Sequence, residues 1–222
     1  MRERISFLNK SSWGFPFISR LDIVAAPFRR GHDSLFSLPP VLFSRAFLAN
    51  PRAIGAVCPS SARLARALAA KVPIPGNNGF VLELGAGTGS VTAALLERGI
   101  DRNRLVIVER DKLLAKHLKE RFPDVAVING NAVKLCELCN RFDRKVNCVV
   151  SSLPLLSLPP ATVAALGETL PKLLGQEGFL VQYTYRLTNA PSPLAPYMDR
   201  ISSQRVWGNI PPAHVEVFRS RI

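Results

Sequence analysis

The chain has 222 residues, of which 47% are hydrophobic, and this apolar content suits one sizeable α/β domain with an extension. It excludes an intrinsically disordered protein. Lysine and arginine number 29 against 16 acidic residues, a formal net charge of +13 at pH 7. This excess favours a polyanionic partner, either nucleic acid or an anionic membrane surface, and charge alone does not distinguish the two.

Cysteine content and hydropathy indicate the redox compartment of the chain and its relation to the membrane. Its four cysteines are too few and too unevenly spaced for a disulfide framework, so a reducing cytosol is expected. Cys136 and Cys139 have C-x-x-C spacing, but there is no second such pair and the three histidines are scattered, so no metal site is predicted. Arg45 and Arg52 interrupt the most hydrophobic N-terminal stretch, and any membrane contact is therefore expected to be peripheral.

Residues 1–78 are predicted to form a basic helical extension to a core domain at 79–222, with helices near 42–48 and over 61–71. Between Asp33 and Glu83 the chain has five basic residues and no acid, interleaved with apolar side chains. Such a segment can lie in a membrane interface, or it can pack on the domain with a solvated basic face. Both interpretations stay open.

The most informative motif follows the first strand of the core domain. An apolar strand over 81–84 leads into Gly85, Gly87 and Gly89, and glycines at every second position allow the backbone to wrap closely around a ligand. A dinucleotide fingerprint would need a third glycine at Ser90, so the pattern is E-x-G-x-G-x-G instead.

A second acid supports a nucleotide-like ligand. A helix is predicted over 88–98 and a strand over 105–108, and that strand ends in Glu109, about twenty residues after the loop. At this spacing a carboxylate can accept hydrogen bonds from ribose hydroxyls. A βαβ unit that binds some other nucleotide remains the alternative.

The remaining elements alternate as a doubly wound parallel sheet requires. Helices are predicted over 111–121 and 161–174, and strands over 125–128, 146–150, 179–185, 204–207 and 215–218.

The glycine loop with its preceding Glu83 resembles motif I of class I S-adenosylmethionine-dependent methyltransferases. This resemblance implies a Rossmann-like α/β fold, with a seven-stranded, mostly parallel sheet that ends in an antiparallel hairpin, and S-adenosylmethionine as cofactor. It places Glu83 near the methionine ammonium group. Where such enzymes usually have an acid near the adenine amino group, this chain has Asn131, followed by Ala132, and we expect cofactor binding to be weakened but not lost.

The loop over 151–159 indicates the methyl acceptor. Amino-methyltransferases that act on bases have an aromatic residue at the position of Leu155, where the ring stacks on the flipped base. The frame Ser152-Leu153-Pro154 is kept, the aromatic is absent and the loop is apolar, so a lipid acceptor is favoured.

Four segments together resemble the bacterial phospholipid N-methyltransferase family over residues 47–219: these are 55–61, 151–159, 182–185 and 205–213. The family is related in fold to rRNA adenine dimethyltransferases. The resemblance implies successive methylation of phosphatidylethanolamine to phosphatidylcholine, with relatives that act on ornithine lipids. It also implies a cytoplasmic enzyme at the inner leaflet of the membrane, with nucleic acid an unlikely partner.

The predicted site has two parts. For the acceptor head group we expect Tyr185, by its hydroxyl or ring face, and Arg205 or Arg186 on the lipid phosphate, with Asn209 shaping the hairpin. No strong base is required, because burying the amine beside a sulfonium lowers the pKa of the amine. An rRNA adenine methyltransferase and a catalytically silent binding module remain alternatives. The cofactor residues are expected to be Glu83, Gly85, Gly87, Thr88, Gly89, Glu109, Asn131, Ala132, Ser152 and Leu153.

Overall fold

A computed structural model describes residues 59–74, 79–140, 142–185, 191–207 and 212–222. They contain seven strands, which are β1 Gly79–Leu84, β2 Leu105–Glu109, β3 Ala126–Asn129, β4 Lys145–Ser151, β5 Phe179–Tyr185, β6 Met198–Val206 and β7 Ala213–Ser220. These strands form one sheet with the order β3-β2-β1-β4-β5-β7-β6, which confirms the predicted fold. Strands β1 to β5 are parallel to one another, and β7 is antiparallel to both β5 and β6.

Within the described ranges, five α-helices cover the two faces of the sheet. One apolar cluster joins the first three helices to one face, and a second cluster joins the last two to the other face. Successive side chains of a strand point to opposite faces of the sheet. Along β1, Val81 accordingly lies in the first cluster, whereas Leu82 and Leu84 lie in the second. The helices are α1 Pro59–Lys71, α2 Ser90–Glu97, α3 Lys112–Arg121, α4 Leu135–Cys139 and α5 Pro160–Leu174.

Helix α1 packs on the sheet. Its Leu64 and Leu68 are buried in the first cluster, while Arg63 and Arg66 are exposed. In this helix the apolar side chains therefore pack on the sheet, and the basic side chains Arg63 and Arg66 are solvated. The helix predicted near 42–48 lies outside the described residues, and the boundary at residue 79 stays a prediction.

The carboxyl ends of β1 to β6 lie at one edge of the sheet, called here the carboxyl edge. Leu84 at the end of β1 pairs with Val108 on one side and Ser151 on the other, so these strands end level with one another. Ser151 pairs with Gln182, so β5 continues three residues further, to Tyr185. The opposite edge, where these strands begin, is the amino edge. Open α/β sheets bind their ligands at the carboxyl edge.

The terminal hairpin is longer than the sequence indicated. Strand β6 begins at Met198, six residues before the predicted start, and only its first and last residues are buried. Its register with β7 shifts between Arg200 and Ser202, where the chain forms a bulge. Because the middle of β6 is exposed and largely polar, its sequence lacks the hydrophobic alternation from which a strand is predicted.

Candidate active site

The glycine loop lies at the carboxyl end of β1. Gly85, Gly87 and Gly89 have φ angles of 68°, 58° and 84°, in the left-handed region that glycine adopts without strain. A Cβ at Gly85 would lie 2.8 Å from the Leu153 side chain, and one at Gly89 would lie 2.6 Å from the Phe122 ring. A Cβ at Gly87 would meet nothing within 4 Å. The outer two glycines therefore permit close packing, and the middle one borders open space.

Glu109 holds the loop in this conformation. One of its carboxylate oxygens accepts a hydrogen bond from the Gly87 N–H at 3.0 Å, and the other accepts from the Asp111 N–H at 2.9 Å. Glu109 is 7% exposed, and both hydrogen bonds are partly buried. Each oxygen retains a second lone pair, and contact with a ribose stays a prediction.

Glu83 lies beneath the loop on the α2 face. Its Oε2 accepts a hydrogen bond from the Thr92 hydroxyl at 2.7 Å, while its Oε1 is buried and has no partner among the described residues. Burial raises the pKa of Glu83 from 4.5 to about 7, against the effect of its hydrogen bonds with Thr92. Because the side chain is fully buried, a ligand ammonium would reach it through a water or after a shift of the loop.

Asn131 begins a short 3₁₀ turn, Ala132–Lys134, after β3. Its Oδ1 accepts from the Val133 N–H at 3.1 Å, so the carbonyl expected to face adenine already caps this turn. Asn129, which sequence reasoning missed, donates from Nδ2 to the backbone oxygens of Glu109 and Arg110. It fixes the end of β3 against the end of β2.

The loop after β4 is anchored on both sides. The Ser152 N–H donates to the Leu84 backbone oxygen at 2.9 Å, and the Tyr183 hydroxyl donates to the Ser152 backbone oxygen at 3.4 Å. Gln182, a second residue that sequence reasoning missed, donates from Nε2 to the Leu153 oxygen at 3.0 Å. Burial raises the pKa of Tyr183, which keeps the hydroxyl protonated as a donor.

Three buried side-chain oxygens near the carboxyl edge have no donor among the described residues. They belong to Glu83 (Oε1), Ser152 (Oγ) and Gln182 (Oε1). A buried acceptor without a partner costs about 1–3 kcal/mol, and a ligand that supplies N–H or O–H donors removes that cost. The residues present therefore fit a ligand rich in donors.

Leu155 does not face the ligand side of this loop. It is 3% exposed and packs in the second apolar cluster, whereas its neighbour Leu156 is 47% exposed. The described part of the loop thus presents no ring on which a base could stack.

Two of the predicted acceptor residues lie at the end of β5 and the end of β6. Tyr185 is half-buried and contacts Tyr183 edge to face, with ring centroids 5.5 Å apart. Arg205 is exposed, and its guanidinium lies 5.1 Å from the centroid of the Trp207 ring. Tyr185 and Val206 both pair with Ala213, so β7 brings the ends of β5 and β6 together. Arg186 and Asn209 lie outside the described residues.

Within the described ranges, no group of three or more His, Cys, Asp or Glu side chains could hold a metal ion. Cys136, Cys139 and Cys148 are free thiols. None of the described helices has the length and apolar character needed to cross a bilayer.

Comparison with known proteins gives one relative by sequence and several by fold. No family model matches the chain. It is 33% identical to the ornithine lipid N-methyltransferase of Singulisphaera acidiphila over 147 residues, which are 64% of this chain and 76% of the relative.

Two solved methyltransferases are similar in fold. The N-methyltransferase NodS of Bradyrhizobium japonicum, solved with S-adenosyl-L-homocysteine, matches 83% of this chain and all of its own, with a TM-score of 0.57 and 15% identity. The magnesium protoporphyrin IX methyltransferase of Synechocystis, solved with S-adenosylmethionine, matches 84% of this chain and all of its own, with a TM-score of 0.55 and 12% identity. At these identities they establish the class I methyltransferase fold.

Proposed function

Because the chain belongs to the S-adenosylmethionine-dependent methyltransferase family that includes the ornithine lipid N-methyltransferase of Singulisphaera acidiphila, we propose that it methylates the amine of a membrane lipid head group. The likeness over 147 residues carries this proposal. It favours ornithine lipid, the alternative from the sequence, over phosphatidylethanolamine as the first substrate to test.

S-adenosylmethionine, when bound, supplies an electrophilic methyl group on a sulfonium. The glycine loop with Thr88 would hold it, together with Glu83, Glu109, Asn131 and Ala132. Glu109 contributes first by fixing the backbone at Gly87, the glycine that borders open space. Support for this assignment comes from the unpartnered oxygen of Glu83, which a cationic or N–H group would satisfy.

The chain must also orient the acceptor amine, which has a pKa of about 10 by analogy with lysine and reacts only in its neutral form. Ser152 Oγ and Gln182 Oε1 are buried acceptors without donors, and they suit the N–H groups of such an amine, which would reach them through a water or after a shift of the loop. By accepting those hydrogens they would direct the nitrogen lone pair, and in-line placement supplies most of the remaining rate. Tyr185 would line the head group.

Ornithine and phosphoethanolamine head groups both combine an amine with an anionic group. Arg205, exposed at the end of β6, suits either a carboxylate or a phosphate, since its guanidinium can bind both in bidentate fashion. The anion, more than the amine, is expected to distinguish the two lipids.

The RNA methyltransferase alternative is disfavoured by the loop after β4. A flipped base is held by stacking, and the residue at the stacking position is a buried leucine, Leu155. The exposed Leu156 suits an acyl chain better than a base.

A substrate panel tests the proposal. Purified protein is incubated with methyl-labelled S-adenosylmethionine and, separately, ornithine lipid, phosphatidylethanolamine or total RNA, with Glu109→Gln as the impaired variant. Methylated ornithine lipid is the expected product. Label in phosphatidylethanolamine alone would change the head group, label in RNA alone would overturn the lipid acceptor, and no label anywhere would favour a silent binding module.

A further inference from the structure

We propose that the carboxyl edge is itself a membrane-docking surface, which binds an anionic lipid bilayer through three exposed apolar side chains set among basic ones. The inference rests on the proposed lipid acceptor and adds how that acceptor is reached. The three side chains are Leu113, Leu156 and Trp207, which are 78%, 47% and 62% exposed.

These three residues lie on different connections that surround the candidate site. Leu113 is in the first turn of α3, directly after β2, and Leu156 is in the loop after β4. Trp207 follows the last residue of β6, and its backbone oxygen accepts a hydrogen bond from Arg63 at 3.3 Å. Large apolar side chains on three separate connections at one edge of the sheet would together enter an apolar phase.

Charge at the carboxyl edge complements an anionic surface. Exposed Arg110 and Lys112 adjoin Leu113, and exposed Arg63 and Arg205 adjoin Trp207. Asp111, an exposed acid on this side, accepts hydrogen bonds from the Leu113 and Leu114 N–H groups and so caps α3. Basic side chains next to apolar ones are the pattern that binds anionic lipid.

The amino edge has a mixed charge. Six acidic residues lie in its connections and strand starts, interleaved with basic residues, and two of the acids are paired with Arg104 and Arg221. Three other exposed apolar residues, Ile74, Ile201 and Ile222, lie near that edge and provide a matched control. The six acids are Glu97, Asp101, Asp124, Asp143, Glu177 and Asp199.

A bilayer fits better than RNA, because phosphates would neutralise the arginines but leave Leu113 and Leu156 in water. Trp207 is of the residue type favoured at the boundary between head groups and acyl chains, where its ring is apolar and its N–H stays hydrated. Docked in this way, the edge would place Ser152 and Gln182 at head-group level, so a lipid amine could be methylated without leaving the membrane.

Tryptophan fluorescence gives a direct test, because the chain has two tryptophans, Trp13 and Trp207. In full-length protein with Trp13→Phe, Trp207 reports alone. Vesicles of equimolar phosphatidylglycerol and phosphatidylcholine, with and without brominated acyl chains, are the probe. Blue-shifted and bromine-quenched emission is expected, whereas protein that sediments with vesicles but keeps an unquenched, unshifted emission would overturn the proposal.

A variant pair tests the energetics. Leu113→Ser, Leu156→Ser and Trp207→Ser together are expected to weaken vesicle binding about tenfold or more, whereas Ile74→Ser, Ile201→Ser and Ile222→Ser together leave it unchanged. Wild-type binding by the first variant, or an equal loss in the second, would contradict the proposed surface. Circular dichroism checks that both variants are folded.

Activity separates this inference from the proposed function. On a short-chain ornithine lipid that is monomeric in water, the single variant Leu113→Ser should keep its activity, while its turnover of lipid in vesicles falls. An equal loss on both substrates would show that Leu113 does not act through docking. If wild-type protein methylates neither substrate, the proposed function fails, while fluorescence and sedimentation still decide the docking surface.

Discussion

Gly87→Ala separates the ligand-binding role of the glycine loop from its role in folding. At this position φ is 58° and an added Cβ meets no protein atom within 4 Å. The substitution should therefore lower the unfolding free energy only by the strain of a left-handed alanine, about 1–2 kcal/mol. Gly99→Ala is the matched control, because Gly99 has a φ of 99°, an equally open Cβ direction and a place at the amino edge.

The two variants should differ in cofactor affinity. At a concentration one hundred times the wild-type Kd, S-adenosyl-L-homocysteine stabilises the wild type by about 2.7 kcal/mol, and a tenfold weaker Kd reduces this to about 1.4 kcal/mol. We expect at least that loss for Gly87→Ala and none for Gly99→Ala.

Isothermal titration calorimetry gives the affinity, and urea unfolding with and without ligand gives the stabilisation. If Gly87→Ala binds S-adenosyl-L-homocysteine like the wild type, the cofactor does not lie against this loop. An equal loss of affinity in Gly99→Ala would mean that backbone strain, and not the added methyl group, is responsible.

Three further substitutions follow from the geometry of the site. Below pH 4.5 Glu83 is protonated in both the folded and the unfolded chain. Between pH 4.5 and about 7 the carboxyl has largely lost its proton in the unfolded chain but keeps it in the folded one. The raised pKa of Glu83 therefore destabilises the fold as pH rises through this range. Without ligand, the unfolding free energy of Glu83→Gln relative to wild type should therefore rise by about 3 kcal/mol from pH 4.5 to pH 7 and then level off, and a flat difference in urea titrations would refute this. Glu109→Gln replaces one of two acceptor oxygens by an amide NH₂ that faces an N–H, and should lower the unfolding free energy by about 1–3 kcal/mol and weaken S-adenosyl-L-homocysteine binding in calorimetry. Asn131→Asp keeps the acceptor for the Val133 N–H and adds a charge, and should strengthen that binding by about 1 kcal/mol, whereas unchanged affinity would place Asn131 away from the adenine.

The sequence indicates those parts of the site whose residues are close together along the chain. The glycine loop follows β1, and Glu109 is the last residue of β2 in the same βαβ unit, so their spacing along the chain is enough to bring them together. The structure shows this proximity as the hydrogen bond from the Gly87 N–H to the Glu109 carboxylate.

Residues set by distant pairing could not be predicted. Gln182 contacts Leu153 across 29 positions, because β4 and β5 are neighbours in the sheet, and nothing local identifies it. The orientation of Leu155 into the core and of Leu156 outward likewise depends on a 3₁₀ turn in a uniformly apolar segment, where no pattern of polar residues fixes the direction of either side chain.

The position of β7 between β5 and β6 bears on how the chain is synthesised. Strand β7 and helix α1 share a core cluster, through Ala213, Val215 and Val217 of the strand and Leu64 and Leu68 of the helix. The helix is therefore synthesised some 150 residues before the strand that completes its packing. Until residues 213–220 leave the ribosome, β5 has an unpaired edge and α1 lacks part of its apolar contact. A nonsense mutation before Ala213 would therefore release a product with an open strand edge, which proteases and chaperones should remove before it aggregates.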